Sequence, residues 1–384
     1  MNFIKRCWAE ISVSNLISNL NLIKNTVGDE TEIVCVVKAN AYGHGDEFVS
    51  LQLQENGVRY FAVASLSEAM HLRQIGVTAD IILLGGCLDD CFQYAAEYDV
   101  TLALYDLDTA RRLSDYALSV GKKVKTHIKL NTGMSRIGFE CTNDSDIENT
   151  KSAIKEILNL KGICVLGAFT HFSVSDEQDG EDFTKLQFKN FNKIRSTFPE
   201  IKLWHCSNSG AIVNYNDYKL DMVRAGILLY GFYNGFGAEE GYKPSLELKT
   251  VITQIRNIEP GTSVSYGRTF VADKKTRLAV LSIGYADGYP RTTSGRGCVI
   301  INGQYAPIVG RVCMDQTVVD VTDVDCNVGD IVTVIGKDGN LEITADDIAK
   351  LDDTINYEIL CRISPRVPRV YLKDGEIYNI TKYV

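Results

Sequence analysis

No apolar run in this sequence of 384 residues approaches the roughly 18 residues that a membrane-spanning helix needs, so no membrane segment is expected. Basic residues are in deficit: 40 lysines and arginines face 49 acidic residues, and the formal charge of −9 disfavours a nucleic-acid partner. The eleven cysteines form no CxxC pair, and the basic start MNFIKRCWAEIS lacks the apolar stretch of a signal peptide. Free thiols in a reducing cytoplasm are therefore expected.

Several short catalytic motifs are missing as well. The sequence contains no P-loop of the form GxxxxGK[ST], no HExxH zinc motif, no Rossmann glycine fingerprint and no cysteine pairing of the zinc type. Nucleotide binding by a P-loop or a Rossmann unit is therefore excluded, and no metal site is expected.

The first two thirds of the chain instead repeat short apolar runs and amphipathic segments. The runs are IVCVV near 33, FAVAS near 61, IILLG near 81, TLALY near 101, THIKL near 126, LGAFTHF near 166, LWHCSNS near 203 and MVRAG near 222. Segments with helical spacing, such as SEAMHLRQIG and FTKLQFKNFNKIRSTF, lie between them. Buried parallel strands covered by helices produce this alternation. Eight units within residues 10–240 predict a closed (β/α)8 TIM barrel, with an open doubly wound sheet as the alternative.

The pattern changes near residue 240. The segment GFGAEEGYKPS at 235–245 is rich in glycine and polar residues and is interpreted as a linker. Longer alternating runs follow, interrupted by three dipeptides typical of hairpin turns: Asn302-Gly303, Asp338-Gly339 and Asp374-Gly375. Only TADDIAKL has clear helical spacing, with Thr344 as its expected N-cap. Residues 241–384 are therefore predicted to form an all-β domain, against which residues 1–9 are expected to pack.

Candidate catalytic residues follow the predicted strands, because barrel enzymes build their sites from the loops at the carboxyl ends. The first strand runs into Lys38, in KANAYGHG. Burial beside an apolar run lowers the pKa of an amine and suits it to Schiff-base chemistry; a surface lysine is the alternative. Tyr42 and its flanking glycines offer a hydroxyl and close backbone approach to a phosphate.

Other strand ends carry residues suited to anions. His205-Cys-Ser-Asn-Ser-Gly210 precedes a helical segment, so its hydroxyls and N–H groups can hold a phosphate; a plain N-cap is the alternative. Gly226 supplies a second turn after the eighth strand. Arg136 could clamp a carboxylate or form a surface salt bridge. His171 is either a site residue or a structural one, and Tyr266, in VSYGR, could simply fill a turn.

These segments together make the chain resemble bacterial alanine racemases, pyridoxal-phosphate enzymes of fold type III with an N-terminal barrel and a C-terminal β domain. The matching motifs follow family order along essentially the whole chain: WAEIS at 8–12, VVKANAYGHG at 36–45, NTGMSRIGF at 131–139, THFSVSDE at 170–177, DMVRAGILLYG at 221–231, VSYG at 264–267, GYADG at 284–288, GRVCMDQ at 310–316 and INYEIL at 355–360. The segment around Lys38 is highly specific.

The resemblance implies a role for each candidate. Lys38 would hold pyridoxal 5′-phosphate, and Tyr266 would be the second catalytic base. Cofactor contacts are implied for Tyr42, His171, Asn208, Ser209, Arg224, Gly226, Ile227 and Tyr357. Substrate contacts are implied for Arg136 and Met314, and supporting positions for Lys129, His205, Tyr285 and Asp315. Similar enzymes are homodimers in which the β domain of one subunit completes the partner's site, so Tyr266 and Met314 would act in trans.

The expected reaction, which interconverts L-alanine and D-alanine, explains these residue types. Inverting a stereocentre requires a proton to leave one face of the α-carbon and another to arrive at the opposite face, so Lys38 and Tyr266 are expected to flank that carbon. A phenol has a pKa of about 10, so a cationic neighbour such as His171 is expected to tune Tyr266. D-alanine for peptidoglycan is the family's product.

Lys129 occupies the position at which similar enzymes often carry a carbamylated lysine that orients the arginine matching Arg136. Asn131 departs from the aspartate common in that segment, which removes a charge close to Lys129. Carbamylation is therefore left open by the sequence.

Three other functions compete with this interpretation. THFSVSDE also resembles serine or dual serine/alanine racemases of the vancomycin-resistance type, but these usually add a membrane domain and carry asparagine where this chain has Tyr357. A non-catalytic pyridoxal-phosphate carrier would resemble the barrel alone, without the domain that contains Tyr266. A basic amino-acid decarboxylase would carry a cysteine–aspartate segment that is not apparent in this sequence. Alanine is therefore the predicted substrate.

Overall fold

The computed structural model describes residues 3–237 and 241–381, and its contacts divide the chain into two compact units. The barrel unit contains Ile17–Ala41 and Asp46–Lys243. The sheet unit contains Tyr42–Gly45, the residues up to Leu16 and those from Pro244 onward. Of the predicted linker at 235–245, residues 238–240 lie outside the described residues, and with them the end of the predicted barrel domain at residue 240.

Eight parallel strands of the barrel unit follow the eight apolar runs of the sequence. In chain order, barrel strands one to eight are Glu32–Val36, Tyr60–Val63, Asp80–Leu83, Val100–Leu104, Val124–Asn131, Ile163–Phe169, Leu203–His205 and Met222–Ala225. Each pairs in parallel with its neighbours, and the first pairs with the eighth, which closes the sheet. The predicted (β/α)8 barrel is confirmed. A short strand, Phe139–Glu140, extends the pairing of the fifth.

Helices alternate with these strands along the chain. They are Val13–Val27, Asp46–Glu55, Leu66–Gln74, Phe92–Glu97, Leu107–Ser119, Asp144–Leu158, Glu181–Arg195 and Ser209–Asn214, with 3₁₀ turns at Asp89–Cys91 and Asn216–Tyr218. The side chains of Ser65, Asp106, Asn143 and Asn208 cap four of them by accepting the N–H of the third residue ahead. In the described part of the chain, no helix has both the length and the apolar character needed to cross a bilayer.

The sheet unit joins the start of the chain to its last third. Its strands are Cys7–Ser12, Leu246–Ile258, Ser263–Val264, Phe270–Val271, Thr276–Leu281, Cys298–Ile301, Gln304–Pro307, Thr317–Asp320, Ile331–Asp338, Leu341–Ile343, Arg369–Lys373 and Glu376–Thr381. The first of them lies antiparallel to Leu246–Ile258 and parallel to Arg369–Lys373. Asn302-Gly303 and Asp374-Gly375 form the predicted hairpin turns with positive φ angles at all four residues.

Two helices interrupt the sheet unit, where one was predicted. Ala345–Asp352 begins at Thr344 as expected: the Thr344 hydroxyl accepts the Asp347 N–H, and the Asp347 carboxylate accepts the Thr344 N–H. The helix Asn356–Cys361 was not predicted, so the expectation of a single helix in this domain is wrong. Six residues are too few to show helical periodicity, and no side chain caps its start. Three 3₁₀ turns complete the unit: Tyr266–Arg268, Tyr285–Asp287 and Arg291–Thr293.

A buried carboxylate ties remote parts of the sheet unit together. Asp287 is fully buried, and its two oxygens accept the terminal nitrogens of Arg6 at 2.7 and 3.1 Å. Its Oδ1 also accepts Nε of Arg366 at 2.8 Å, and its Oδ2 accepts the Gly284 N–H at 2.9 Å. Asp315 accepts Nη2 of Arg366 at 2.7 Å. One carboxylate therefore holds a turn of the sheet against segments near both ends of the chain.

We expect Asp287→Asn to lower the free energy of unfolding by about 2 kcal/mol, because it leaves two guanidinium groups facing a neutral, buried amide. The arginine side chains are 37% and 31% exposed, which keeps the loss below that of a fully buried pair. Asp315→Asn is the matched control, since this side chain is 53% exposed and should cost about 0.5 kcal/mol or less. Urea unfolding measures both, and equal losses would contradict the assignment.

Candidate active site

Lys38 lies at the carboxyl end of the barrel, just after the first strand. That strand pairs with the eighth so that Val34 lies opposite Arg224, and Lys38 and Gly226 therefore follow adjacent strand ends. The positive charge of Lys38 also helps to lower the pKa of His171, after the larger effects of burial and of other cations. Residues from the first, sixth and eighth strand ends thus gather around one end of the barrel.

A left-handed turn follows Lys38. Residues 39–42 have φ angles between 51° and 55°, although none of them is glycine. Residues that carry a Cβ atom usually avoid this conformation, because the Cβ atom comes too close to a carbonyl oxygen. The N–H of Ala39 donates to Oε1 of Glu68 at 2.7 Å. The N–H of Ala41 donates to the carbonyl of Val37 at 2.9 Å. This turn was not predicted, because no glycine marks it.

The guanidinium group of Arg224 is held by neutral acceptors. Its Nη2 donates to the carbonyl oxygens of Thr170 and Cys206 at 2.8 and 2.9 Å, and its Nη1 donates to Nδ1 of His205 at 2.9 Å. The residue is 3% exposed. Burial lowers the pKa of Arg224 to about 10, so the group remains a cation at neutral pH.

Arg224 determines where the protons of three histidines lie. A guanidinium group can only donate, so Nδ1 of His205 and Nδ1 of His171, at 2.9 and 3.3 Å, are unprotonated acceptors. The proton of His205 is then on Nε2, which donates to Nδ1 of His127 at 2.8 Å. Burial, and after it the charge of Arg224, lowers the pKa of all three rings, that of His127 to about 3. All three are therefore neutral at pH 7.

The expectation that His171 is a cationic neighbour of Tyr266 is therefore wrong. The sequence displays the histidine but not its burial, nor the guanidinium that lies beside it; burial first, and then the charge of Arg224, lowers the pKa of His171. His127 was not predicted at all, because THIKL has the pattern of an ordinary buried strand.

A cluster of backbone donors follows the seventh and eighth strands. The Oγ atom of Ser209 accepts the N–H groups of Gly226 and Leu228 at 3.2 and 3.3 Å. The N–H of Ile227, which lies between them, donates to no acceptor among residues 3–237 and 241–381. A hydroxyl and an unpartnered N–H in two turns that contact each other can bind an oxyanion.

Asn208 begins the helix that carries Ser209. Its Oδ1 accepts the N–H of Ala211 at 3.0 Å and the hydroxyl of Ser175 at 2.6 Å, and its Nδ2 donates to the carbonyl of Phe172 at 3.4 Å. Both ends of this side chain are thus occupied by the protein, so it positions the loop.

Lys129 lies on the fifth strand and is 4% exposed. Its Nζ donates to the carbonyl of Leu130 at 3.1 Å and lies 5.1 Å from the ring centre of Phe169. Burial, and then the charges of Arg224 and Arg136, lower the pKa of Lys129 well below its ordinary value. The strand therefore carries a desolvated amine that is readily deprotonated.

Asn131 organises the loop that leads to Arg136. Its Oδ1 accepts the N–H groups of Gly133 and Ser135 at 3.2 and 2.8 Å, and its Nδ2 donates to the two oxygens of Glu140 at 3.0 and 2.9 Å. An aspartate could not donate to that carboxylate, which explains how asparagine is accommodated here. The side chain of Arg136 is exposed.

Gln187 joins the ends of the fifth and sixth strands and was not predicted. It is fully buried; its Oε1 accepts the N–H of Ser173 at 3.0 Å, and its Nε2 donates to the carbonyl of His171 at 3.2 Å and to Oγ1 of Thr132 at 3.4 Å. A single amide thereby links His171 to the loop that precedes Arg136. In the sequence it is simply a polar residue within a helical segment.

In the sheet unit, the rings of Tyr42 and Tyr357 lie side by side with their centres 5.9 Å apart. Burial, and then the proximity of Tyr357, raises the pKa of Tyr42, so its hydroxyl stays protonated. Nε of Arg369 donates to the carbonyl of Gly43 at 2.9 Å and anchors the segment. Two of the predicted hydroxyl ligands are therefore neighbours.

The other predicted residues of the sheet unit project from turns. The residues Tyr266, Met314 and Tyr285 are 70%, 53% and 42% exposed. The N–H of Tyr285 donates to the carbonyl of Cys313 and that of Ala286 to the carbonyl of Met314, both at 3.0 Å, so two of the turns are joined. Asp315 is fixed by Arg366, as described above.

Basic side chains gather at the strand ends without matching carboxylates. Lys129, Arg136 and Arg224 form no salt bridge with any residue that the structure describes. Arg224 is a buried cation without a carboxylate partner, which is costly, so this end of the barrel favours an anionic ligand. Such a ligand would lie beside an amine, Lys38, that can form a Schiff base.

The fold and these residues define a class: barrel enzymes in which a strand-end lysine and an oxyanion site receive a phosphorylated carbonyl cofactor. Two family models match the chain, the N-terminal domain of alanine racemase over residues 11–234 and its C-terminal domain over residues 245–371. The chain belongs to the alanine racemase family, whose members depend on pyridoxal phosphate.

Named relatives agree with this assignment. An alanine racemase of Clostridium perfringens is 44% identical over 390 residues, which cover 99% of each chain. The structure of alanine racemase from Clostridium difficile 630 has a TM-score of 0.93 and 39% identity, with 100% of both chains covered. An alanine racemase from Bacillus anthracis with bound L-Ala-P has a TM-score of 0.90 and 32% identity, and covers 100% of this chain and 99% of its own.

A further structure, alanine racemase from Bartonella henselae, is described with covalently bound pyridoxal phosphate; its TM-score is 0.86 at 29% identity, and 96% of this chain and 99% of that chain are covered. The predicted family, fold and enzyme class are therefore confirmed. The chain is an enzyme of amino-acid racemisation.

The neutral histidines make the stability of the barrel unit depend on pH. Their folded pKa values lie below the ordinary value of about 6.5, so the unfolded chain binds protons first as the pH falls. Stability is therefore full above about pH 6.5 and declines below it, by up to about 1.4 kcal/mol per pH unit for each ring. We expect the melting temperature to fall between about pH 7.5 and about pH 5.5.

His127→Gln keeps an acceptor for His205 and removes one titrating ring, so its melting temperature should fall less steeply over the same range. His71→Gln is the control, because the His71 side chain is 43% exposed. Parallel curves for the parent and His127→Gln would refute the assignment of a neutral buried ring.

Proposed function

We propose that this chain binds pyridoxal 5′-phosphate through Lys38 and interconverts L-alanine and D-alanine with two bases, Lys38 and Tyr266. The observation that carries the proposal is the strand-end lysine near the buried cation Arg224, which lacks a carboxylate partner in the described residues. Family membership supports the racemase reaction, and the roles of individual residues are our assignments.

The donors available fit the proposed cofactor. We assign its phosphate to Ser209 and to the N–H groups of Gly226 and Ile227, since the N–H of Ile227 has no acceptor elsewhere in the described chain. The hydroxyls of Tyr42 and Tyr357 are assigned to the same phosphate. When bound, the cofactor supplies an electron sink that acidifies the α C–H bond of an attached amino acid.

We assign Arg224 and His171 to the cofactor ring. The guanidinium group can only donate, so a ring nitrogen that faces it has to accept and stay unprotonated. An unprotonated ring is a weaker electron sink, which favours return of the proton to the α-carbon over side reactions such as transamination. His205 holds Arg224 in place for this task at 2.9 Å.

The amine of Lys38 and the phenolate of Tyr266 would stand on opposite faces of the substrate α-carbon. One group removes the proton of one enantiomer, and the other group delivers a proton to the opposite face. Because His171 is neutral, we assign to the guanidinium of Arg136 the positive charge that favours a phenolate. Arg136 and the N–H of Met314 would also bind the substrate carboxylate.

We propose a homodimer in which Tyr266 and Met314 complete the site of the partner subunit. Their exposed fractions of 70% and 53% support this arrangement, because large side chains so exposed are typical of surfaces that a partner covers. Tyr285 and Asp315, in the adjoining turns, would support the same surface.

We propose alanine rather than serine as the substrate, since Tyr357 packs against Tyr42 where an asparagine would open the pocket. D-alanine for peptidoglycan, made in the cytoplasm, is the proposed role. The eleven free cysteines are compatible with a reducing compartment.

The racemisation assay tests this function. Purified enzyme with pyridoxal 5′-phosphate should convert either enantiomer of alanine to a mixture of L-alanine and D-alanine. The rate of this racemisation should exceed the rate with serine. Tyr266→Phe should racemise alanine about 10²–10⁴-fold more slowly than the parent, because general-base catalysis is lost. The variant should keep the absorbance of the bound cofactor, because cofactor binding is not affected. Tyr305→Phe, which alters another half-exposed tyrosine of the sheet unit, is the matched control.

The outcomes separate the alternatives. Equal rates on serine and alanine would identify a dual racemase, and a bound cofactor with no racemisation of any amino acid would identify a carrier. Full activity in Tyr266→Phe would refute the two-base assignment.

We also propose that Lys129 carries a carbamate. Its desolvated amine can attack carbon dioxide, forming a nitrogen–carbon bond and releasing one proton to solvent, and the anion would face Arg136. In ¹³C-labelled bicarbonate, we expect a carbamate signal by NMR that Lys129→Gln abolishes and Lys125→Gln keeps. Lys125 lies on the same strand but is 33% exposed and forms salt bridges. A spectrum unchanged by Lys129→Gln would contradict this.

A further inference from the structure

The carboxylate of Glu68 joins the ends of the first two barrel strands. Its Oε1 accepts the N–H of Ala39, the residue after Lys38, at 2.7 Å. Its Oε2 accepts the N–H groups of Ala64 and Ser65 at 2.8 and 3.1 Å. One side chain thus connects the segment that follows Lys38 to the loop after the second strand.

The contact with Ala39 goes beyond what helix capping requires. Glu68 is the third residue of the helix Leu66–Gln74 and forms a capping box with Ser65. A second capping box in the chain shows the ordinary case: the carboxylate of Asp347 accepts the N–H and the hydroxyl of Thr344 within its own helix. An aspartate is long enough for that task, whereas only the longer glutamate can also reach a neighbouring strand end.

The segment that Glu68 holds is a strained one. Residues 39–42 are all left-handed without glycine, and such a run persists only where surrounding contacts determine it. The bond to the Ala39 N–H is the contact at the start of this run, next to Lys38. The turn is completed by a bond from the Asp46 N–H to the side chain of Asn40 at 2.9 Å.

We propose that Glu68 is a positioning residue for Lys38: by fixing the Ala39 N–H it sets the direction in which the Lys38 side chain leaves the first strand. This inference rests on the proposed function, in which the amine of Lys38 adds to the aldehyde of pyridoxal 5′-phosphate and one water molecule leaves. Glu68 acts through the backbone of the turn, by way of the Ala39 N–H.

Glu68→Asp tests the inference, because aspartate keeps the charge and the capping box but does not reach Ala39. Addition of pyridoxal 5′-phosphate to the apoenzyme, followed by borohydride reduction and peptide mapping, measures the rate at which Lys38 is labelled. We expect this rate to fall about 10–100-fold, as for a reactive group displaced by about 1 Å. The affinity for pyridoxamine 5′-phosphate, which cannot form the bond, should stay within about twofold of the parent.

Ser65→Ala is the matched control, since it weakens the capping box through loss of the Ser65 hydroxyl and leaves Glu68 facing Ala39. It should lower the melting temperature while labelling proceeds at the parent rate. Hydrogen exchange at the Ala39 N–H should accelerate in Glu68→Asp and not in Ser65→Ala. Parent-like labelling in Glu68→Asp, or equal slowing in Ser65→Ala, would overturn the inference, whereas absence of labelling at Lys38 in the parent would overturn the proposed function.

Discussion

The buried guanidinium of Arg224 is the constraint on which the catalytic end of the barrel depends. Carbonyl oxygens and imidazole nitrogens surround it, and no carboxylate in the described chain balances its charge. Because it can only donate, it fixes the tautomers of His205 and, through that ring, of His127. After burial, its charge is the next largest cause that lowers the pKa of His171. One donor-only group therefore decides where protons reside and makes an anionic or proton-accepting ligand favourable.

The barrel could be predicted from the sequence because strands buried on both faces leave apolar runs that helices then separate. Counting those runs was enough to reach Lys38, Ser209 and Gly226, since residues at strand ends meet at one face of the barrel. In the sheet unit, the dipeptides Asn302-Gly303 and Asp374-Gly375 predicted the hairpins because their residues tolerate positive φ angles. Local preference and periodicity thus account for the architecture.

Contacts between distant residues, and charge states that depend on burial, could not be predicted in this way. Glu68 contacts Ala39 from the following strand–helix unit of the barrel. Gln187 differs from the other polar residues of its helix in that it faces the carbonyl of His171. The pKa of His171 is lowered by its burial and then by the guanidinium beside it, and neither can be read from the residue type. The left-handed run at 39–42 contains no glycine, and the helix Asn356–Cys361 is shorter than two turns.

The strand Cys7–Ser12 has a consequence for synthesis on the ribosome. Its two neighbours in the sheet, Leu246–Ile258 and Arg369–Lys373, emerge only after every strand of the barrel has been made. At translation rates of about 5–20 residues per second, the first strand waits on the order of tens of seconds with both edges open. Unpaired edges invite pairing with other chains, so the nascent protein must shield its earliest strand until its last third arrives.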